Sequence, residues 1–97
     1  MEMNDTHQVV WTLKVEKQLD KVPRQIAEKF YAWVTAVKLA GLRTVRQRSG
    51  FHDEPLKGPR RGQRSVRLNV SYRAIYVEKK DGSIEFIEVV EVTKHEY

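Results

Sequence analysis

Apolar positions along the chain recur with two different periods, and the changes of period mark the elements. From Val9 to Val15 the run Val-Val-Trp-Thr-Leu-Lys-Val is rich in β-branched residues and partly alternating, which predicts a first strand. A short helical turn is expected at Glu16 to Lys21. Pro23 suits the first position of a longer helix, where its missing N–H costs nothing. In that helix Ile26, Phe30, Trp33, Val34 and Val37 fall on one face. Gly41 is expected to end it, with Leu42 and Val45 able to extend it by a turn. The aromatic residues at helical spacing read as core.

The period changes to two at about Arg64. Val66, Leu68 and Val70 alternate with Ser65, Arg67 and Asn69, as in a strand with one apolar and one polar face. Tyr72 to Glu78 predicts a second strand, and Asp81-Gly82 is a strong hairpin signal. It leads into Ile84 to Val92, a strand long enough for the interior of a sheet. The expected fold is α+β: an N-terminal strand, one or two helices, then a three-stranded antiparallel meander forming a small twisted sheet with helices on one face. All 97 residues are expected to form a single domain, 1–97, since a chain of this length makes one core and not two.

Between Arg46 and Gly62 no periodicity survives. Gly50, Pro55, Gly58, Pro59 and Gly62 punctuate the stretch, which reads as a long loop. Loops of this length within a compact domain are usually functional or disordered. The charge singles out the same region. From Arg43 to Arg67 there are eight cations, seven of them arginine, against two anions; the rest of the chain has ten cations and eleven anions. The whole net charge of +5 therefore sits in one quarter of the molecule. Planar guanidinium forks match phosphate, so a polyanion is the expected partner.

Other classes drop out on composition. Without cysteine there are no disulfides, no thiolate catalysis and no Cys-based zinc site, which suits a reducing cytosol. No apolar run reaches the ~18 residues of a membrane span. The start Met1-Glu2-Met3-Asn4-Asp5 is unlike a secretory signal, so a cytoplasmic location is expected. No metal or other cofactor is expected either. His52, Asp53 and Glu54 are consecutive and would alternate in direction on an extended segment, and His7 is remote in sequence.

Three groups carry candidate chemistry: His52 to Gly58, the arginines Arg67 and Arg73 on neighbouring strands, and the terminal Lys94-His95-Glu96-Tyr97. RNA cleavage without a metal needs a base for the 2′-hydroxyl, cations for the charge growing on phosphate, and an acid for the departing 5′-oxygen. A carboxylate or lysine, one or two arginines and a histidine supply these parts. Singly, each has a plainer explanation as a loop carboxylate, a solvated cation or a tail residue.

Together the residues have a familiar arrangement. Glu54-Pro55-Leu56-Lys57-Gly58, Gly62-Gln63-Arg64-Ser65-Val66-Arg67-Leu68, Tyr72-Arg73-Ala74-Ile75-Tyr76 and His95-Glu96-Tyr97 resemble the RelE/ParE superfamily of bacterial toxins. The likeness is to its RelE-type, HigB-like and YoeB-like mRNA-cleaving branch. It covers the whole chain in element order and is specific from about residue 51 onward. The resemblance implies the toxin of a type II toxin–antitoxin pair that enters the ribosomal A site and cuts messenger without a metal. By the same resemblance Glu54 would be the general base, with Lys57 and Arg67 holding the phosphate and Arg73 stabilising the transition state. His95 would be the general acid and Tyr97 would orient or stack on a nucleotide. Members of the branch differ in their base, which leaves Glu54 and Lys57 as alternatives. Glu96 separates His95 from the terminal Tyr97, unlike the usual adjacent pair, and this leaves the acid open too.

Arg48, Arg60, Arg61, Arg64 and Lys94 are the expected contacts to messenger and ribosomal RNA backbone. The implied partners are messenger, ribosome and a cognate antitoxin laying a helix or strand over the basic face, with no membrane. The alternatives are a ParE-like toxin that inhibits DNA gyrase without catalysis, and an inert RNA- or ribosome-binding module. A binder has no need of Glu54, Arg67, Arg73 and His95 together.

Overall fold

A computed structural model describes residues 5–94. The elements run β1 (Val9–Trp11), α1 (Leu13–Lys21), α2 (Arg24–Ala40), α3 (Leu42–Arg46), β2 (Glu54–Pro55), β3 (Arg64–Arg67), β4 (Tyr72–Asp81) and β5 (Ile84–Lys94). The strands form one five-stranded sheet in the order β1-β5-β4-β3-β2, antiparallel throughout except that β1 runs parallel to β5. The expected meander is β3-β4-β5. The α+β class with a meander and helices on one face is thus present, and the sheet gains a strand at each edge.

The first strand is shorter than its composition suggests. It ends at Trp11, and the Thr12 carbonyl accepts from the amides of Val15 (3.1 Å) and Glu16 (3.2 Å), opening α1 three residues ahead of the expected turn. Val15 and Leu19, four residues apart, are both buried, so helical packing overrides the strand preference of Leu13 to Val15. Pro23 sits one position before the first turn of α2 and accepts from the Ile26 amide at 2.9 Å. Gly41 stops α2 with φ +88 and hands the chain to α3. An added Cβ there would strike the Asp5 carboxylate, which accepts from the Arg43 amide at 3.2 Å.

Ile26, Phe30, Trp33, Val34 and Val37 of α2 all point inward, with Leu42 and Val45 of α3 and Val15 and Leu19 of α1. They meet Val66, Leu68, Ala74, Tyr76, Ile87, Val89 and Val92 on one sheet face. Aromatic rings run through the middle, with Trp33 5.4 Å from Tyr76 and 6.1 Å from Phe30. Trp33 is fully buried, which makes it a core residue. A bulge between Ile75 and Tyr76 shifts the β4–β5 register and lets Val89 and Val92, three apart, share the core face. Asp81 and Ile84 close the expected hairpin across Gly82, at φ +63.

The stretch from 46 to 62 is more ordered than a loop. It holds two 3₁₀ turns, Ser49–Phe51 and Gly58–Arg60, and between them β2 pairs with β3, Glu54 opposite Ser65 and Pro55 opposite Arg64. The segment carries no periodicity because what fixes it is polar. The Asp53 side chain, 1% exposed, accepts from Arg64 Nε at 2.6 Å and from the Tyr76 hydroxyl at 2.5 Å. Arg46 lies 4.0 Å from the same carboxylate and reaches Glu78 at 3.1 Å. No helix among the described residues is long and apolar enough to cross a membrane.

Candidate active site

Strand alternation sorts the sheet into two faces. Val66, Ala74 and Val92 face the helices, so their neighbours Arg67, Arg73 and Thr93 face the other way. Arg67 stands directly opposite Arg73, and Arg73 directly opposite Thr93. One row along the same face, Glu54, Ser65, Ile75 and Glu91 line up across β2, β3, β4 and β5. A cavity of about 270 Å³ opens here, with Leu56 and Ile75 as apolar lining and Glu54, Arg60, Ser65, Arg73, Thr93 and Lys94 as polar lining. Its volume is at the small end of ligand pockets.

The two arginines oppose the usual logic of stability. Like charges directly across a strand pair repel. Arg73 is only 8% exposed, and neither its Nη1 nor Arg67 Nε, both buried, has a hydrogen-bond partner among the described residues. A buried donor without a partner costs about 1–3 kcal/mol. The Ser65 hydroxyl beside them is equally buried and unbonded among the described residues. An anion placed between the guanidinium groups would relieve the repulsion and accept these donors at once.

Glu54 is exposed at the edge of this row, with the His52 ring Nε2 3.5 Å from its Oε2. His52 sits in the left-handed region at φ 47, and the chain then runs extended. Asp53 goes to the helix side of the sheet while Glu54 stays by His52. Three consecutive polar residues thus have two unrelated jobs. Asp53 ties the segment down; Glu54 is presented to the cavity.

Burial raises the pKa of the Tyr76 hydroxyl well above its usual value, and its hydrogen bond to the Asp53 carboxylate adds to the rise. A phenol whose pKa is higher folded than unfolded contributes stability that is complete below pH ~10 and is lost as pH climbs through the folded value. Thermal unfolding followed from pH ~9 to ~11.5 is therefore expected to show a falling Tm that the Tyr76→Phe variant shows much less. Equal falls in both proteins would contradict this role for Tyr76.

The other expected site residues divide. Arg60 and Lys94 line the cavity, and Arg60 is bound to Glu91 at 2.7 Å and to Gln63 at 2.8 Å. Arg64, also expected on RNA, lies on the helix side of the sheet and binds Asp53 at 2.6 Å. Its backbone pairs with Tyr76, and period two puts Arg64 on the face opposite Arg67's neighbour Ser65. Lys57, Arg48 and Arg61 are exposed in the segment around β2 and are not part of the cavity wall. His95 and Tyr97 lie outside the described residues; β5 ends at Lys94, next to Thr93 of the arginine row. Ser65, Ile75, Glu91 and Thr93 were not among the expected site residues. Counting by two from Arg67 and Arg73 reaches Ser65 and Ile75, but the partners of Ile75 across β5 depend on a register the sequence does not display.

Several solved structures share this shape. The YoeB/ParE toxin from Agrobacterium tumefaciens superposes with a TM-score of 0.69 at 24% identity, over 92% of this chain and 99% of that one. YafQ from E. coli strain BL21(DE3) gives 0.70 at 12% identity, over 93% and 94%. A chain of the archaeal RelE–RelB complex from Pyrococcus horikoshii OT3 gives 0.66 at 21% identity, over 92% and 94%. No protein-family model and no curated protein matches the sequence.

Proposed function

We propose, on the premise that the chain has the RelE/YoeB-type toxin fold, that it is an endoribonuclease which cuts messenger RNA by a metal-independent route. The observation that supports this most is the Arg67–Arg73 pair, directly opposite each other on neighbouring strands with buried donors unbonded among the described residues, Arg73 lining a cavity that Glu54 also lines. Such a pair costs stability unless an anion completes it.

In this mechanism the scissile phosphate sits between the two guanidinium groups. The Glu54 carboxylate takes the proton of the preceding 2′-hydroxyl, and the O2′ so freed attacks phosphorus. Negative charge gathers on the non-bridging oxygens, where the Arg67 and Arg73 guanidinium groups offset it. The P–O5′ bond breaks as His95 gives its proton to the leaving oxygen, producing a 2′,3′-cyclic phosphate and a 5′-hydroxyl. Lys57, exposed beyond β2, supports phosphate binding and is the alternative base. Tyr97 orients or stacks on a nucleotide. Arg48, Arg61 and Lys94 hold messenger or ribosomal backbone; the ribosomal A site presents the messenger, while the chemistry itself needs only the protein and the RNA strand. A cognate antitoxin restrains the enzyme by covering the arginine row; two solved structures of this fold, of DinJ–YafQ and RelBE2, are toxin–antitoxin complexes.

The chemistry is tested with a short RNA and its counterpart carrying 2′-deoxyribose at the cut position, both in the presence of a chelator. The RNA is expected to be cut and the substituted strand to remain whole, because only the RNA has the attacking oxygen. Glu54→Gln is expected to slow cleavage by about 10²–10⁴-fold, the usual size of a general-base contribution. Cutting of the deoxy-substituted strand, or loss of activity in chelator alone, would contradict the mechanism.

A further inference from the structure

Arg60 belongs to a segment whose chain is turned by Gly58, Pro59 and Gly62, yet its side chain is held at two points. Its Nε donates to Gln63 Oε1 at 2.8 Å, and its Nη2 donates to Glu91 Oε1 at 2.7 Å. A guanidinium has five N–H donors, so three remain for another partner. Arg60 also lines the cavity that Arg73 lines. Glu91 belongs to β5 on the site face, opposite Ile75, while Arg73 is two residues before Ile75 on β4. Two residues of strand separate the rows by about 7 Å, a distance comparable to one step along an extended single strand.

We propose that Glu91, with Gln63, is a positioning residue that mounts Arg60 over the cavity as the contact for a second phosphate, one nucleotide away from the phosphate held by Arg67 and Arg73. The inference rests on the ribonuclease reading above and adds to it a subsite and the residue that builds it. Glu91 carries a negative charge on the face proposed to bind RNA, and its ion pair with Arg60 offsets that charge. A plain surface ion pair is worth little and leaves ligand binding alone. A mounted arginine makes Glu91 favourable to RNA in spite of its sign.

The test measures binding of a single-stranded RNA, made uncuttable by 2′-deoxyribose at the cut position, across a series of salt concentrations. Cleavage of the unmodified strand gives KM and kcat beside it. In Arg60→Ala the slope of log affinity against log salt is expected to shrink by about 0.7, the share of one phosphate contact on a single strand. The loss should fall on KM more than on kcat. Glu91→Ala is expected to shrink the slope in the same way, although it removes a negative charge, and to add nothing further in an Arg60→Ala background. Glu91→Gln, which keeps an acceptor oxygen, is expected to restore most of the slope. Wild-type slopes in both single variants, or tighter binding by Glu91→Ala, would overturn the proposal while leaving the ribonuclease reading in place. A wild-type protein that neither binds nor cuts RNA would overturn both.

Discussion

Arg73→Met is expected to abolish messenger cleavage, by about 10²–10³-fold, and at the same time to stabilise the fold. The two effects have one cause. Arg73 is 8% exposed, stands opposite Arg67, and has a buried Nη1 with no partner among the described residues. In the folded protein that charge is a cost; in the proposed mechanism it stabilises the charge that grows on the phosphate. Methionine keeps much of the side-chain volume and removes both the repulsion and the unbonded group. Exchanging buried charge for an apolar side chain of similar size is often neutral or stabilising by about 1–4 kcal/mol, and the lower part of that range is expected here. Thermal melts and cleavage assays on the same preparation check the pair of effects. A variant that loses activity together with several degrees of Tm would show that Arg73 is a structural residue.

Asp53→Ala is expected to do the reverse, with its main effect on stability, on the order of 3 kcal/mol. Asp53 is the acceptor on which Arg64 and Tyr76 converge, and Arg46 lies beside it. Its removal leaves a buried phenol and two partly buried arginines without their common partner. It also frees the segment that presents Glu54, so a fall in cleavage should follow the fall in stability and be reversed by lower temperature. Asp53→Asn, which keeps an acceptor, is expected to cost less. Chemical denaturation of the three proteins measures this. A wild-type midpoint in Asp53→Ala would show that the segment is held by its apolar contacts, Phe51 and Leu56, and not by the carboxylate.

The contrast between Arg73 and Asp53 also shows which parts of the molecule the sequence could reveal. The face of α2 was legible because Ile26, Phe30, Trp33, Val34 and Val37 obey one period and all are buried. The meander was legible because Val66 and Leu68 alternate with polar residues and Asp81-Gly82 has a turn's chemistry, although Val70, expected to continue that apolar face, lies past the end of β3 and is exposed. The residues from Arg46 to Gly62 looked like a loop because their order comes from hydrogen bonds between positions far apart, Asp53 with Arg64 and Tyr76, Arg60 with Glu91. No period records such contacts. The end of β1 was misplaced for a related reason: Leu13 to Val15 suits a strand locally, and only packing of Val15 and Leu19 against the sheet makes it helix.

At the site, the arginine row could be anticipated and its company could not. Arg67 and Arg73 are on the polar face of strands whose alternation is visible, and the register then sets them opposite each other. Arg64 is three residues before Arg67, an odd offset that sends it to the other face and to Asp53, although by composition it is one more arginine in a basic stretch. Glu91 could not be singled out at all. In the sequence it is one of three glutamates spaced three apart along β5, and the bulge after Ile75 separates its place in the register from that of Glu88, which instead binds Lys79 at 2.7 Å.

Whether this protein cuts messenger is tested most directly by mapping messenger ends in a cell-free translation reaction given wild-type protein or Arg73→Met. New ends carrying cyclic or 3′-phosphate are expected within the translated region for wild type, and none for Arg73→Met. Translation or growth arrested by the wild-type protein with every messenger intact would contradict this expectation, and would make this fold a vehicle for binding and not for cleavage.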